Sequence, residues 1–281
     1  MRGIAVSLLA GACLAASGGE KPAETMIVRP DEVWRPIDMT ALSVQPGSAL
    51  DLSGIHEPGP AGKYGRVMIG PDGTFRFEKQ PEKPVRFFAF NAFANHVMSW
   101  KESMLKVGSK EETHKNIREF AAKVRRQGYN MVRFQGVDLL LMSGKDAPGR
   151  AQFSPSNLDC FQYMLHCLKQ EGVYFGIDLF SYTGYEKFNH QWDDAMAKRY
   201  KERMYFDPVV RQMWLDGVKA LMTGKNPYTG LTLNEEPALI YVDLHNEQEL
   251  GIWIKKEPLS DPEIKPLAEA AWRAFLKKRY G

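Results

Sequence analysis

The sequence predicts an α/β fold in which successive βα units surround a parallel sheet, and three observations carry that prediction. From Val85 onward, short apolar runs rich in aromatic and β-branched residues alternate with long amphipathic stretches. The turns that lead from the first two helices into the next strand are only Gly128-Tyr129 and Gly172-Val173, whereas strand-to-helix loops run to about twenty residues or more, a length that usually marks function. The 281 residues are 44% hydrophobic and 25% charged, enough to bury a large core and unlike a disordered tail or a multi-span membrane protein. Lys and Arg total 37 against 34 Asp and Glu, a net +3 that leaves no electrostatic footprint for nucleic acid.

Residues 1–24 read as a secretory signal, with Arg2 as the charged start, an apolar stretch over 4–16 and small residues after it. That stretch is too short to span a bilayer. Cleavage could follow Ala12, Ser17 or Gly18, and Ala10-Gly11-Ala12-Cys13 also resembles a lipoprotein box in which Cys13 would carry lipid. Residues 25–84 form a Pro-rich lead and a β-hairpin cap, in which 65–69 and 74–78 flank the tight-turn sequence Gly70-Pro71-Asp72-Gly73. Residues 85–281 hold four βα units: strands near 86–91, 130–134, 174–179 and 238–245, helices near 112–127, 157–171, 208–223 and 264–280. Cys160 and Cys167 fall on one helix, about 10 Å apart in rise and too far for a disulfide. They read as small buried residues.

Long loops on one side only imply one working face, at the C-terminal ends of the strands. On it the loops place Phe93, His96, Trp100, Tyr182, Tyr185 and Trp192, aromatic side chains that either stack on sugar-like ligand surfaces or pack the loops together. The fourth strand runs as Tyr241-Val242-Asp243-Leu244 directly into His245-Asn246-Glu247. Glu247 is the candidate general acid, because a carboxyl against apolar walls can hold a proton near neutral pH and deliver it to a leaving oxygen. Asn246 could donate to a substrate hydroxyl and His245 could add a second polar contact; an Asn-Glu pair can also simply begin a solvated loop. Asp178 and Asp243 lie inside strands and read as members of a buried network with Arg133. His114, His166 and His190 lack a metal-ligand spacing, so neither metal nor cofactor is expected.

The fourth-strand segment resembles the acid/base strand of the clan A glycoside hydrolases, the (β/α)8 group that includes family 5 cellulases and mannanases, in which an Asn-Glu pair closes the fourth strand. Arg86-Phe87-Phe88-Ala89-Phe90-Asn91 looks like that group's first strand, and Gly128 through Phe134 looks like its second, with Arg133 near the site. The segment 271–281 looks like the helix after the acid/base loop. The resemblance covers roughly residues 40–281 and implies the first four βα units of a TIM barrel, catalytic Glu247, and hydrolysis of a β-linked polysaccharide with retention. Asn91, His96, Arg133, Tyr182, His245 and Asn246 are the substrate-binding candidates around it. Asn234-Glu235-Glu236-Pro237 superficially looks like the family 5 Asn-Glu-Pro, yet it precedes the fourth strand and belongs to the opposite, stability face.

Glycoside hydrolysis needs two carboxylates, and the resemblance would put the second on a seventh strand that these residues do not contain. The expectation is therefore the N-terminal half of an exported enzyme, poorly soluble and inactive by itself. Two other readings stand beside it: a carbohydrate-binding surface lipoprotein without a nucleophile, and a barrel enzyme of other chemistry such as an isomerase or lyase.

Overall fold

The computed structural model describes residues 29, 31, 35, 43–98, 105, 108–143, 152–181, 185, 188, 200–247 and 262–281. The signal segment with Cys13 and the loop residues Trp100, Tyr182, Glu186, His190, Trp192 and Glu249 lie outside them. By contacts the chain divides into Met1–Leu42 and Ser43–Gly281, and the second unit holds all the regular structure described here.

The unit begins with a three-stranded antiparallel sheet: β1 (Val67–Ile69), β2 (Phe75–Phe77) and β3 (Gln80–Val85), in that order. The hairpin forms as its turn sequence predicts, with Val67 opposite Phe77 and Ile69 opposite Phe75. Asp72 Oδ1 accepts from the Thr74 N–H at 3.1 Å and fixes the turn. The sequence reading missed β3 because of Pro81 and Pro84; both are tolerated because β3 is an edge strand that pairs only with β2.

The second sheet is fully parallel and its strands follow in sequence order: β4 (Ala89–Phe93), β5 (Met131–Gln135), β6 (Tyr174–Asp178) and β7 (Leu239–Asp243). The helices are α1 (Ala94–Met98), α2 (Lys110–Arg126), α3 (Val137–Met142), α4 (Pro155–Gln170), α5 (Tyr200–Phe206), α6 (Pro208–Thr223) and α7 (Lys265–Tyr280). This is the connectivity of the first four units of a (β/α)8 barrel. Three short helices, α1, α3 and α5, occupy loops in which the sequence showed no periodicity. The first strand also begins three residues later than predicted. Asn130 explains the shift: its Oδ1 takes the Phe88 N–H at 2.7 Å and its Nδ2 donates to the Arg86 carbonyl at 2.9 Å, so a side chain satisfies backbone that would otherwise need a ladder.

Alternation sorts the sheet residues onto two faces. Val132, Phe134, Phe175 and Ile177 are fully buried with Ile117, Phe161, Met164 and Leu168 from α2 and α4. The opposite face carries Asn91, Arg133, Gly176 and Tyr241 in one cross-strand row. Side chains set the starts of α2, α4 and α6. Ser109 and Glu112 form a reciprocal capping box on α2, Ser154 caps α4 ahead of Pro155, and Asp207 caps α6 ahead of Pro208.

The short turns at the base share one design. Gly128 (φ 82°) and Gly172 (φ 77°) take the left-handed conformation just past α2 and α4. Tyr129 N–H then reaches the Val124 carbonyl at 3.3 Å, and Val173 N–H the Leu168 carbonyl at 2.9 Å. The lead and cap are tied to this base: His56 Nε2 lies 2.7 Å from the Gly128 carbonyl, Arg125 donates to the His56 and Glu57 carbonyls, and Ala61 N–H donates to the Lys169 carbonyl at 2.8 Å. Cys160 and Cys167 are buried and not joined in a disulfide, and burial pushes the Cys167 thiol up to about 11.

The Asn-Glu-Glu-Pro segment lies at the base as expected. Buried Glu236 takes two bonds from Lys169 Nζ, at 2.8 and 3.0 Å, and one from the Ala238 N–H at 3.0 Å. Removing one partner of a buried pair leaves the other charge uncompensated, so Glu236→Ala should cost about 3 kcal/mol in urea unfolding. A loss of under about 1 kcal/mol would show the pair to be solvent-screened.

Candidate active site

The polar residues of the sheet converge on one guanidinium. Arg133, mid-strand in β5, has its Nε 3.0 Å from Asp178 Oδ1 and its Nη2 2.9 Å from Asp178 Oδ2, a two-pronged pair with β6. The same Nη2 reaches Asp243 Oδ2 of β7 at 3.1 Å and Asn246 Oδ1 at 2.8 Å. Gln135 Nε2 adds a longer contact of 3.4 Å to the Asn246 oxygen. Asp178 is completely buried, and burial pushes its carboxyl above the usual range although Arg133 pulls it back. The network of Asp178 and Asp243 with Arg133 read from the sequence is therefore present as a three-strand junction, buried at Asp178 and half-buried at Arg133 and Asp243.

Beyond Asp243 the chain leaves the ladder. Asp243 Oδ1 accepts from the His245 N–H at 3.1 Å, and the Asn246 N–H donates to the Phe180 carbonyl at 2.9 Å. Regular alternation from Asp243 to Glu247 thus gives way to a turn. Glu247 is exposed at its end, not set against the apolar walls the sequence reading expected, because the turn carries it away from the ladder; its left-handed φ of 54° is one that a non-glycine residue seldom adopts.

His245 departs from its expected role as a substrate contact. Its ring stacks on Phe180 at 4.1 Å and 16°, and its Nδ1 is 2.8 Å from the Tyr205 hydroxyl of α5. Nε2 is buried and has no hydrogen-bond partner among the described residues. The ring is part of the wall under the site rather than its surface. Burial, reinforced by Lys201, drives its pKa down to about 3, so the imidazole is neutral near physiological pH.

Asn91 lies on β4 in register with Arg133 and is exposed. His96 lies on α1 past the end of β4, exposed, with its ring stacked 5.3 Å from Phe93. Of the loop aromatics, Tyr185 is fully buried against Phe153, so it packs the loops. Tyr182 lies outside the described residues. Gln135, Phe180, Lys201 and Tyr205 were not singled out from the sequence. Tyr205 stands just before the Asp207-Pro208 helix start, and that cap is the one local signal that a helix boundary brings side chains together there.

Among the described residues no group of three or more His, Cys, Asp or Glu side chains is placed to hold a metal ion, and no helix is long and apolar enough to cross a membrane. His114 pairs with Asp159 at 2.9 Å and stacks on Tyr163 at 3.8 Å, on the helix layer away from the strand ends. A cavity of about 400 Å³ opens at the base, between the cap and the parallel sheet, lined by Tyr64, Phe77, Phe87 and Tyr174.

No family model and no curated protein matches this chain. Solved structures do. An endo-1,4-β-mannanase from Rhizomucor miehei is similar over 65% of this chain and 48% of its own, at 14% identity and a TM-score of 0.46. A glycoside hydrolase family 5 mannosidase from the same organism is similar over 77% and 69%, at 15% identity and a TM-score of 0.43. An endo-β-1,4-mannanase from Thermotoga petrophila is similar over 59% and 36%, at 19% identity and a TM-score of 0.42. The chain thus spans about half the length of the first of these.

The depressed His245 pKa fixes a pH dependence. The unfolded imidazole takes its proton near 6.5 and the folded one near 3. The unfolded state therefore binds more protons in that window, and this contribution to stability is complete above pH 6.5 and lost as pH falls toward 3. Melting temperatures of wild type and His245→Asn measured across the window should converge as the pH drops. Parallel curves would show that His245 titrates normally.

Proposed function

We propose that this chain carries the acid/base half of a retaining glycoside hydrolase site acting on a β-linked polysaccharide. The observation that supports this reading most is the convergence of Arg133, Asp178, Asp243 and Asn246 at the C-terminal end of a parallel sheet, one residue before an exposed glutamate. In it Glu247 protonates the departing glycosidic oxygen and then, as carboxylate, takes a proton from the water that releases the sugar. Arg133 holds Asn246 by its carbonyl oxygen, which turns the amide N–H₂ away from the junction and toward a substrate hydroxyl. Asn91 and His96, on the same strand and the helix that follows it, extend the binding surface, and Tyr182 is assigned to it from its sequence position. The nucleophilic carboxylate comes from outside the described residues. Asp178 and Asp243 do not serve, because Arg133 engages both. The signal-like residues 1–24 support export in this reading, and the Ala10-Gly11-Ala12-Cys13 segment makes Cys13 the site for a lipid anchor in its lipoprotein form.

That engagement also favours a second reading, a surface lipoprotein that binds carbohydrate without cleaving it. The two separate on one variant. In the full-length protein, Glu247→Gln should slow hydrolysis of substrates with poor leaving groups by about 10²- to 10⁴-fold, the usual contribution of a positioned general acid. Rates near wild type would remove Glu247 from the mechanism. Retained oligosaccharide affinity with no hydrolysis by either form would establish the binder.

A further inference from the structure

Helix α5 is only seven residues long, yet three of its side chains close around the residues that support Glu247. Tyr200 meets Phe180 edge-on at 5.8 Å, and Lys201 Nζ stands 5.6 Å from the same ring centroid. One turn later, Tyr205 reaches the Nδ1 of His245 at 2.8 Å, so Lys201 and Tyr205 share a helix face. Phe180 and His245 are themselves stacked, and the Phe180 carbonyl takes the Asn246 N–H. The peptide from Asp243 to Glu247 is therefore anchored along its length: by Arg133 at the Asp243 carboxylate, by Asp243 at the His245 N–H, by Tyr205 at the His245 ring, by Phe180 at the Asn246 N–H, and by Arg133 at the Asn246 side chain. Glu247 follows immediately, in a left-handed conformation that persists only where the surroundings over-determine it.

We propose that Tyr205 and His245 are positioning residues, a hydrogen-bonded brace that holds the Glu247 turn in the geometry its proton transfer requires. The inference rests on the hydrolase reading for what Glu247 does, but not for how it is held. Neither residue touches substrate. Tyr205 restrains the imidazole, the imidazole fixes the peptide that leads into Asn246 and Glu247, and proton transfer is sensitive to changes of a few tenths of an ångström in the heavy-atom distance.

The test uses leaving-group dependence, which a loss of fold would not change. The full-length protein, Tyr205→Phe, His245→Leu and His245→Asn are compared on an unactivated β-linked oligosaccharide and on the matching 2,4-dinitrophenyl glycoside, whose leaving group needs no acid. Tyr205→Phe, which deletes one oxygen, and His245→Leu should each lower kcat/KM on the oligosaccharide about 10- to 100-fold while the dinitrophenyl rate stays within about twofold. His245→Asn, which keeps a polar atom at the Nδ1 position, should recover most of the loss. Equal losses on both substrates, or no loss on either, would overturn the proposal. If wild type cleaves neither substrate, the hydrolase reading fails and the brace is judged by amide hydrogen exchange at Asn246 and Glu247. Faster exchange in His245→Leu and Tyr205→Phe than in wild type supports it; unchanged exchange rejects it.

Discussion

The C-terminal end of the parallel sheet depends on one charge balance, the Arg133 guanidinium against the buried Asp178 carboxylate. An isolated buried carboxylate is costly enough that it would take up a proton or force the chain apart. The planar fork of Arg133 meets Asp178 with two parallel bonds, and one nitrogen of the same fork still reaches Asp243 and Asn246. One cation on the middle of β5 thereby fixes the far ends of β6 and β7 relative to each other. A lysine could supply the charge but not the geometry, because a point charge has no second prong. Gly176 belongs to the same arrangement: a Cβ there would lie 2.4 Å from the Tyr241 ring, so the ring rests against the backbone of β6 beside Arg133.

Sequence pattern read the regular part of the fold closely and the irregular part poorly, for a physical reason. Helices α2, α4, α6 and α7 announce themselves through apolar periodicity, and α6 begins and ends where its Asp207-Pro208 start and Gly224 stop require. β5 shows as alternation, Val132 and Phe134 toward the helices with Arg133 between them on the other face, and β6 as an apolar run that closes on Asp178. β3 gave no such sign, since two prolines hide a strand that tolerates them only by lying at an edge. The start of β4 depended on the Asn130 side chain, forty-two residues from Phe88, and no local window contains that bond.

The site was readable to the same depth. The positions of Glu247, Asn246 and Arg133 follow from strand ends and motif order, and the pairing of Arg133 with Asp178 follows from the cost of burying that carboxylate. The inward turn of His245 did not. A polar ring next to Asn-Glu looks like a ligand contact until Phe180 and Tyr205, from two separate stretches of chain, are seen on either side of it. Packing partners far apart in sequence decide which way a side chain faces, and composition does not record them.

The two ends of the sheet are held by different kinds of bond. At the base, Gly128 and Gly172 close their turns through backbone groups, and most bonds from the lead and cap also end on carbonyl oxygens, which every residue type supplies. At the other end, among the described residues, specific side chains such as Arg133, Asp243 and Tyr205 add most of the restraint beyond the strand ladder. Changes at sites more than about 7–10 Å apart with no shared partners tend to act independently on stability. Substitution among the side chains at the upper end should therefore leave the base turns closed, so that end is free to change in sequence before the chain loses the ability to fold.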